Sequence, residues 1–146
     1  MTTPPTEDAD HGRFVILHHH VDGSVPAGPQ RVSHFDVMLE KDDVLWTWEW
    51  LQLIMDQSHS IRRLADHRLA YLTYEGPLSQ KRGSVNQIAA GDFVGRCSTN
   101  GVDVLLRLNR SPTGWPGQCR LMMSPVETER WHGLLKIAPY DILSPT

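Results

Sequence analysis

From Ser33 to Trp50 the chain alternates apolar and polar residues through two consecutive stretches. This period of two limits the fold more than any other feature of the sequence. In Ser33-His34-Phe35-Asp36-Val37-Met38-Leu39-Glu40 it puts Phe35, Val37 and Leu39 on one face of a strand and His34, Asp36, Met38 and Glu40 on the other. Lys41-Asp42-Asp43 reads as a tight turn into Val44–Trp50, where Val44, Trp46, Trp48 and Trp50 alternate with Leu45, Thr47 and Glu49. Three tryptophans on one face of one strand need a large surface to bury against. A sheet closed on itself, or one covered by a helix, supplies it.

Further short strands separated by turn signals extend the pattern. Arg13 to His19 carries Phe14, Val15, Ile16 and Leu17, while residues 21–32 hold two glycines and two prolines and read as a loop. Leu51, Leu53, Ile54 and Met55 suit a short helix or an irregular crossing. Glu75-Gly76-Pro77 and Lys81-Arg82-Gly83 mark turns, and Ser84–Ala90, Asp92–Ser98 and Val102–Leu108 read as strands. Asn100-Gly101 is the strongest hairpin signal. Gln118–Met123 is a further strand, and the run around Gly133 to Ile137 favours a final strand over the helix that Ser124-Pro125-Val126-Glu127 would cap. The expectation is a mainly β chain: a small antiparallel β-barrel, closed or partly open, with little helix. Residues 1–12 are polar and proline-bearing and read as a disordered tail, leaving 13–146 as a single domain.

A formal net charge of −3 argues against broad charge-driven coating of nucleic acid, though not against a local basic groove. No apolar run approaches the ~20 residues of a membrane helix, and the N-terminus lacks a signal-peptide pattern. Cys97 and Cys119 show no metal-motif spacing. They read as buried free thiols, and the expected location is a reducing cytoplasm.

Chemistry concentrates at two places. His34 and Asp36, two apart on one strand, can both reach a single cation, and His18-His19-His20 lies shortly before them. Alternation puts His18 and His20 on one face and His19 on the opposite one, so one or two of them can join the site. Imidazoles with a carboxylate suit manganese, zinc or iron. Taken alone, His-x-Asp is also what an ordinary solvated strand face looks like. The second place is Leu64 to Tyr71 with Tyr74-Glu75-Gly76. There Arg62, Arg63, His67 and Arg68 gather positive charge beside tyrosines, which suits either a phosphate or a solvated basic turn.

Phe14-Val15, His19, His34-Phe35-Asp36, Leu39-Glu40, Leu45, Trp48, Asp66-His67, Tyr71 and Glu75-Gly76, in that order, resemble the 3′-phosphoesterase domain of bacterial DNA ligase D and its stand-alone relatives. The motifs cover roughly residues 13–95. The resemblance implies a small β-barrel that holds a divalent metal, manganese first and zinc or iron as alternatives. It implies removal of a 3′-phosphate or 3′-ribonucleotide from DNA, or from a DNA/RNA primer-template, in repair alongside a separate ligase or polymerase. By position His19, His34 and Asp36 would be the metal ligands, and His67 and Tyr71 the catalytic pair at the scissile phosphate. The family strand reads His-aromatic-Asp-x-Arg, and here Met38 stands where the phosphate-binding arginine belongs. A thioether neither carries charge nor donates a hydrogen bond; Arg62 or Arg63 is the expected substitute. The loop before His34 is longer than the family's, which leaves open which of His18, His19 and His20 is the ligand. Two alternatives follow. One is a metal- or phosphate-binding module that lost catalysis with the arginine. The other is a non-haem iron oxygenase-type barrel in which His132 supplies the second histidine.

Overall fold

The computed structural model describes residues 9–21 and 32–138. Among these residues nine strands form a single antiparallel sheet: β1 (Asp10–His20), β2 (His34–Lys41), β3 (Val44–Trp50), β4 (Ser58–Arg63), β5 (Gly76–Pro77), β6 (Ser84–Ser98), β7 (Gly101–Arg110), β8 (Gln118–Pro125) and β9 (Arg130–Ile137). Their order is β1-β2-β3-β4-β9-β8-β7-β6, and β6 pairs back onto β1 along its length, so eight strands close into a barrel. β5 adds a short ninth strand beside the start of β6. Closure removes the sheet edges that would otherwise offer unpaired backbone groups. The only helical pieces among the described residues are short 3-10 turns at Leu69–Leu72 and Ser79–Lys81. No helix among them is long and apolar enough to cross a membrane.

The alternation in β2 and β3 decides what lies inside. Phe35, Val37, Leu39, Trp46, Trp48 and Trp50 point into the barrel, where they meet Phe14, Ile16, Ile61, Phe93, Leu106, Leu121 and Trp131. Trp48 and Trp50 are fully buried, and Trp48 packs edge-on against Trp131 at 5.4 Å. Lys41 pairs with Val44 across a two-residue turn in which Asp42 (φ 55°) and Asp43 (φ 67°) are both left-handed. Such a turn matches the twist of a hairpin.

Several boundaries differ from the sequence expectation. β1 starts at Asp10, inside the stretch read as a tail, because Asp10 accepts a hydrogen bond from the Cys97 amide (3.0 Å) and pairs with Lys41. Residues 1–8 and most of the 21–32 loop lie outside the described residues. Ser84–Ala90 and Asp92–Ser98 are one continuous strand. Gly91 permits this, since a side chain there would sit 1.9 Å from the Arg107 carbonyl oxygen. Ser58–Arg63 is a strand despite a polar sequence with one buried residue, Ile61. Pairing with β9, from Ser58↔Leu134 to Arg62↔Arg130, holds it. The final segment is a strand, as expected, and Cys97 and Cys119 are buried free thiols.

A second apolar cluster lies on the outside of the barrel wall. Val15, Leu17, Met38, Leu45 and Val85 are roofed by Leu69, Tyr71, Leu72 and Leu78 from the segment between β4 and β6. A backbone bridge pins that segment: Leu45 and His67 exchange hydrogen bonds of 2.8 and 2.9 Å. The roof turns an outer wall of the barrel into the floor of a cleft.

Candidate metal centre

The floor of that cleft is built by cross-strand register. β1 and β2 pair His19 with His34 and Leu17 with Asp36, so both histidines and the carboxylate share the outward face. Their rings and carboxylate are buried: His19 is 8% exposed, His34 1% and Asp36 4%. One donor atom from each lies within 4.8 Å of the others. His18 points to the opposite face, against Phe35, and His20 is exposed. The alternation therefore selects His19.

Each histidine is held by a backbone carbonyl that sets its tautomer. His19 donates from Nε2 to the Arg82 carbonyl (2.7 Å), which turns the Nδ1 lone pair toward Asp36 Oδ2 at 3.8 Å. His34 donates from Nδ1 to the Val32 carbonyl (2.9 Å), with Glu49 Oε2 3.3 Å away, and presents Nε2 to Asp36 Oδ1 at 3.3 Å. Outer partners of this kind orient metal-ligating histidines. His34 Nε2 and Asp36 Oδ1 are buried and have no hydrogen-bond partner. Two buried acceptors facing each other repel unless a proton or a cation lies between them. Donor atoms ~2.1 Å from an ion stand roughly 3.0–3.4 Å apart, a spacing the His34–Asp36 edge already has. Two imidazole nitrogens and a carboxylate oxygen fit a divalent transition ion, with the cleft side left open for other ligands. His19, His34 and Asp36 can hold a metal ion.

The electrostatics agree. Burial opposes ionisation of Asp36, yet the closeness of the His19 and His34 rings outweighs it and holds the carboxyl down at about 2. Burial likewise opposes a charged His34, but Asp36, the Val32 carbonyl and Glu49 together raise its proton affinity. The field that draws a proton to this pair also draws a cation.

Above the floor, a cleft of about 290 Å³ is lined by Met38, Arg62, His67, Tyr71 and Arg82 as well as the three ligand residues. His67 donates from Nδ1 to the Ala65 carbonyl (3.0 Å), which leaves Nε2 as the ring's other nitrogen, and its ring stands 5.6 Å from that of Tyr71. Arg62 is at the rim, doubly bonded to Glu49 Oε1 (2.8 and 3.0 Å). Arg63 does not line this cleft. Its guanidinium stacks over Trp46 and Trp48 at 5.1 and 4.7 Å, and it bonds the Thr47 and Leu64 carbonyls and Asp66. A cation so engaged is a structural clamp, and its expected role at a phosphate is corrected accordingly. Met38 is 1% exposed within the outer apolar cluster. His132 sits on β9, lines a different cleft with Ser58 and Arg96, and is no part of the ligand group.

Two members of the site escaped the sequence reading. Glu49 shares its face with Leu45 and Thr47, so the period of two already pointed it toward the histidines. Arg82 lay in a segment read only as a turn, and nothing in the local sequence connects it to His19, 63 positions away. No family model matches the chain, and no curated protein matches it.

Proposed function

We propose that the chain is a divalent-metal-dependent phosphoesterase of the DNA ligase D 3′-phosphoesterase type, acting on 3′-phosphate or 3′-ribonucleotide ends of DNA, with manganese as the ion. The observation that carries this reading is the buried, unpartnered His34 Nε2–Asp36 Oδ1 pair, with His19 beside it, at the foot of a cleft that also holds His67, Tyr71 and Arg62. When bound, such an ion neutralises phosphate oxygens and activates water. His19, His34 and Asp36 hold it. His67, with Nδ1–H engaged by the Ala65 carbonyl, meets the developing charge on the phosphate as an imidazolium donating from Nε2–H, and the Tyr71 hydroxyl donates beside it. DNA and a ligase or polymerase acting on the repaired end are the partners this reading implies.

Burial of Met38 in an apolar cluster favours a second reading, a metal- and phosphate-binding module without turnover. One assay separates the two. Purified protein with Mn²⁺ is expected to release phosphate from a 3′-phosphate-terminated primer, and His34→Ala to abolish release. Metal uptake without turnover, under any divalent ion, would select the binding module; no metal uptake would reject both.

A further inference from the structure

A second cleft, of about 490 Å³, adjoins the metal cleft within the segment that roofs the barrel wall. Tyr71 and Leu78 line both, so the two spaces are neighbours. Its charged lining residues are Arg68 and Arg82, and among the described residues no acid lines it. The carboxylates of the same segment are engaged elsewhere: Asp66 bonds Arg63, while Glu75 accepts from the Gln87 amide and faces Arg110. Neither Arg68 nor Arg82 forms an ion pair among the described residues. In a chain of net charge −3, this segregation makes a local cationic site rather than a general basic surface.

The Arg82 guanidinium is anchored on the wall of this second cleft. Nε donates to the Ser79 carbonyl and Nη2 to Ser79 Oγ, both at 3.0 Å, and Ser79 is itself a lining residue. Both hydrogens of Nη1 and one of Nη2 stay unpaired among the described residues, a fork suited to phosphate oxygens. The turn that carries Arg82 is constrained as well. Leu78 donates to the Gly83 carbonyl (2.8 Å). Gly83 has φ +96°, and a Cβ there would stand 2.1 Å from the His20 carbonyl oxygen, so only glycine lets this turn press against β1. Two tyrosines complete the lining. The Tyr71 and Tyr74 rings stand at 89° with centroids 6.0 Å apart, and Tyr74 is 38% exposed. The Tyr74 hydroxyl is spent on the Pro77 carbonyl, so its ring is what it has left to offer a ligand. Cations alone suit any small anion, but cations beside an exposed aromatic ring suit a phosphate that carries a base.

We propose that this second cleft is a nucleotide subsite, in which Arg68 and Arg82 hold a phosphodiester and the unpaired base beside it stacks on Tyr74. The nucleotide held here neighbours the one presented to the metal, so the substrate is a strand and not a mononucleotide. The assignment deepens the phosphoesterase reading and rests on it only for what occupies the metal cleft.

The test follows the fluorescence anisotropy of a 5′-fluorescein-labelled hexathymidylate 3′-phosphate on the full chain, in chelator, where a metal-dependent reaction cannot consume it. Arg68→Gln and Arg82→Gln are each expected to weaken the strand roughly tenfold, the low end for a charge-assisted contact, and to lower the salt slope by about 0.7. Tyr74→Leu is expected to cost roughly fivefold or more, while Tyr74→Phe, which keeps the ring, stays within about twofold of wild type. As competitors, thymidine 3′-phosphate and hexaglutamate should each be at least about tenfold weaker than the unlabelled strand. No strand binding by the wild type, or unchanged binding in the Arg68→Gln/Arg82→Gln double variant, would overturn the subsite. So would equal competition by the mononucleotide or by the acidic peptide. The metal reading is measured apart, by electron paramagnetic resonance of added Mn²⁺, which all the variants should bind like wild type. A wild type that holds the strand through Arg68, Arg82 and Tyr74 but takes up no Mn²⁺ would keep the subsite and overturn the phosphoesterase.

Discussion

Binding a metal ion at His19, His34 and Asp36 should add measurable stability, in an amount the site geometry sets. The three donor side chains are buried, and the two histidines are held by the Arg82 and Val32 carbonyls before any ion arrives. An ion therefore orders little and binds the folded state alone. At a concentration one hundred times its dissociation constant it adds about 2.7 kcal/mol. For a chain of this length that raises the melting temperature by roughly 5–10 °C. Asp36→Asn keeps the shape but removes the carboxylate charge. If affinity falls about a hundredfold, the upper range for losing even an outer partner, the same metal concentration leaves about 0.4 kcal/mol. The shift shrinks to roughly 1 °C. Buried Trp48, Trp50 and Trp131 give the fluorescence signal for a thermal scan with Mn²⁺ against chelator. A shift of several degrees that survives in Asp36→Asn or His34→Ala would refute the argument, since the stabilising ion would then be bound elsewhere.

In chelator, the Asp36 carboxyl titrates at about 2 against an ordinary 3.8. Its contribution, on the order of 2 kcal/mol, is present above pH ~4 and is lost as pH falls through 2. His34 has a raised proton affinity, so its contribution is present at low pH and lost as pH rises through its raised value. A pH series of urea midpoints should show a steeper fall toward pH 2 in wild type than in Asp36→Asn, where Glu40 and Asp103 still titrate below the ordinary range; identical curves would contradict this account. Arg63→Ala should cost about 1–3 kcal/mol in urea unfolding, because it strips a cation from two indole faces and removes the side-chain donor from the Leu64 carbonyl and one of two donors from the Thr47 carbonyl. Mn²⁺ affinity should not change, and a selective loss of phosphate binding instead would return Arg63 to the cleft. Gly133→Ala puts a methyl 2.6 Å from the Trp50 ring and 2.8 Å from Ile61, so overpacking should cost about 1–3 kcal/mol. An unchanged urea midpoint would mean that the barrel interior yields more easily than its packing implies.

Much of the site was legible because a strand converts sequence spacing directly into facing. The separation of Phe35, Val37 and Leu39 from His34, Asp36 and Met38 follows from a period of two, as does the choice of His19 over His18 and His20 once β1 is paired with β2. The β4 strand was harder to read. Ser58–Arg63 has almost no apolar signal of its own, and its structure comes from β9, with pairs 68 to 76 positions apart in the chain.

The arginines show where sequence reasoning stops. Arg62, Arg63 and Arg82 are the same residue type, yet one is neutralised by Glu49, one is stacked on tryptophans and one is bonded to Ser79 while its carbonyl holds His19. Alternation separates Arg62 from Arg63 by face but says nothing about which carboxylate or ring each will meet. Arg82 enters the site because Gly83 lets its turn press against β1 and because the chain between β4 and β6 roofs the outer wall. By itself the sequence determined most of the strands, their buried faces and the shared face of His34 and Asp36, since these depend on near-neighbour periodicity. Barrel closure, the apolar burial of Met38 and the choice among the cations were decided only in the tertiary structure. Each depends on contacts between residues distant in sequence, and local spacing carries no record of those contacts.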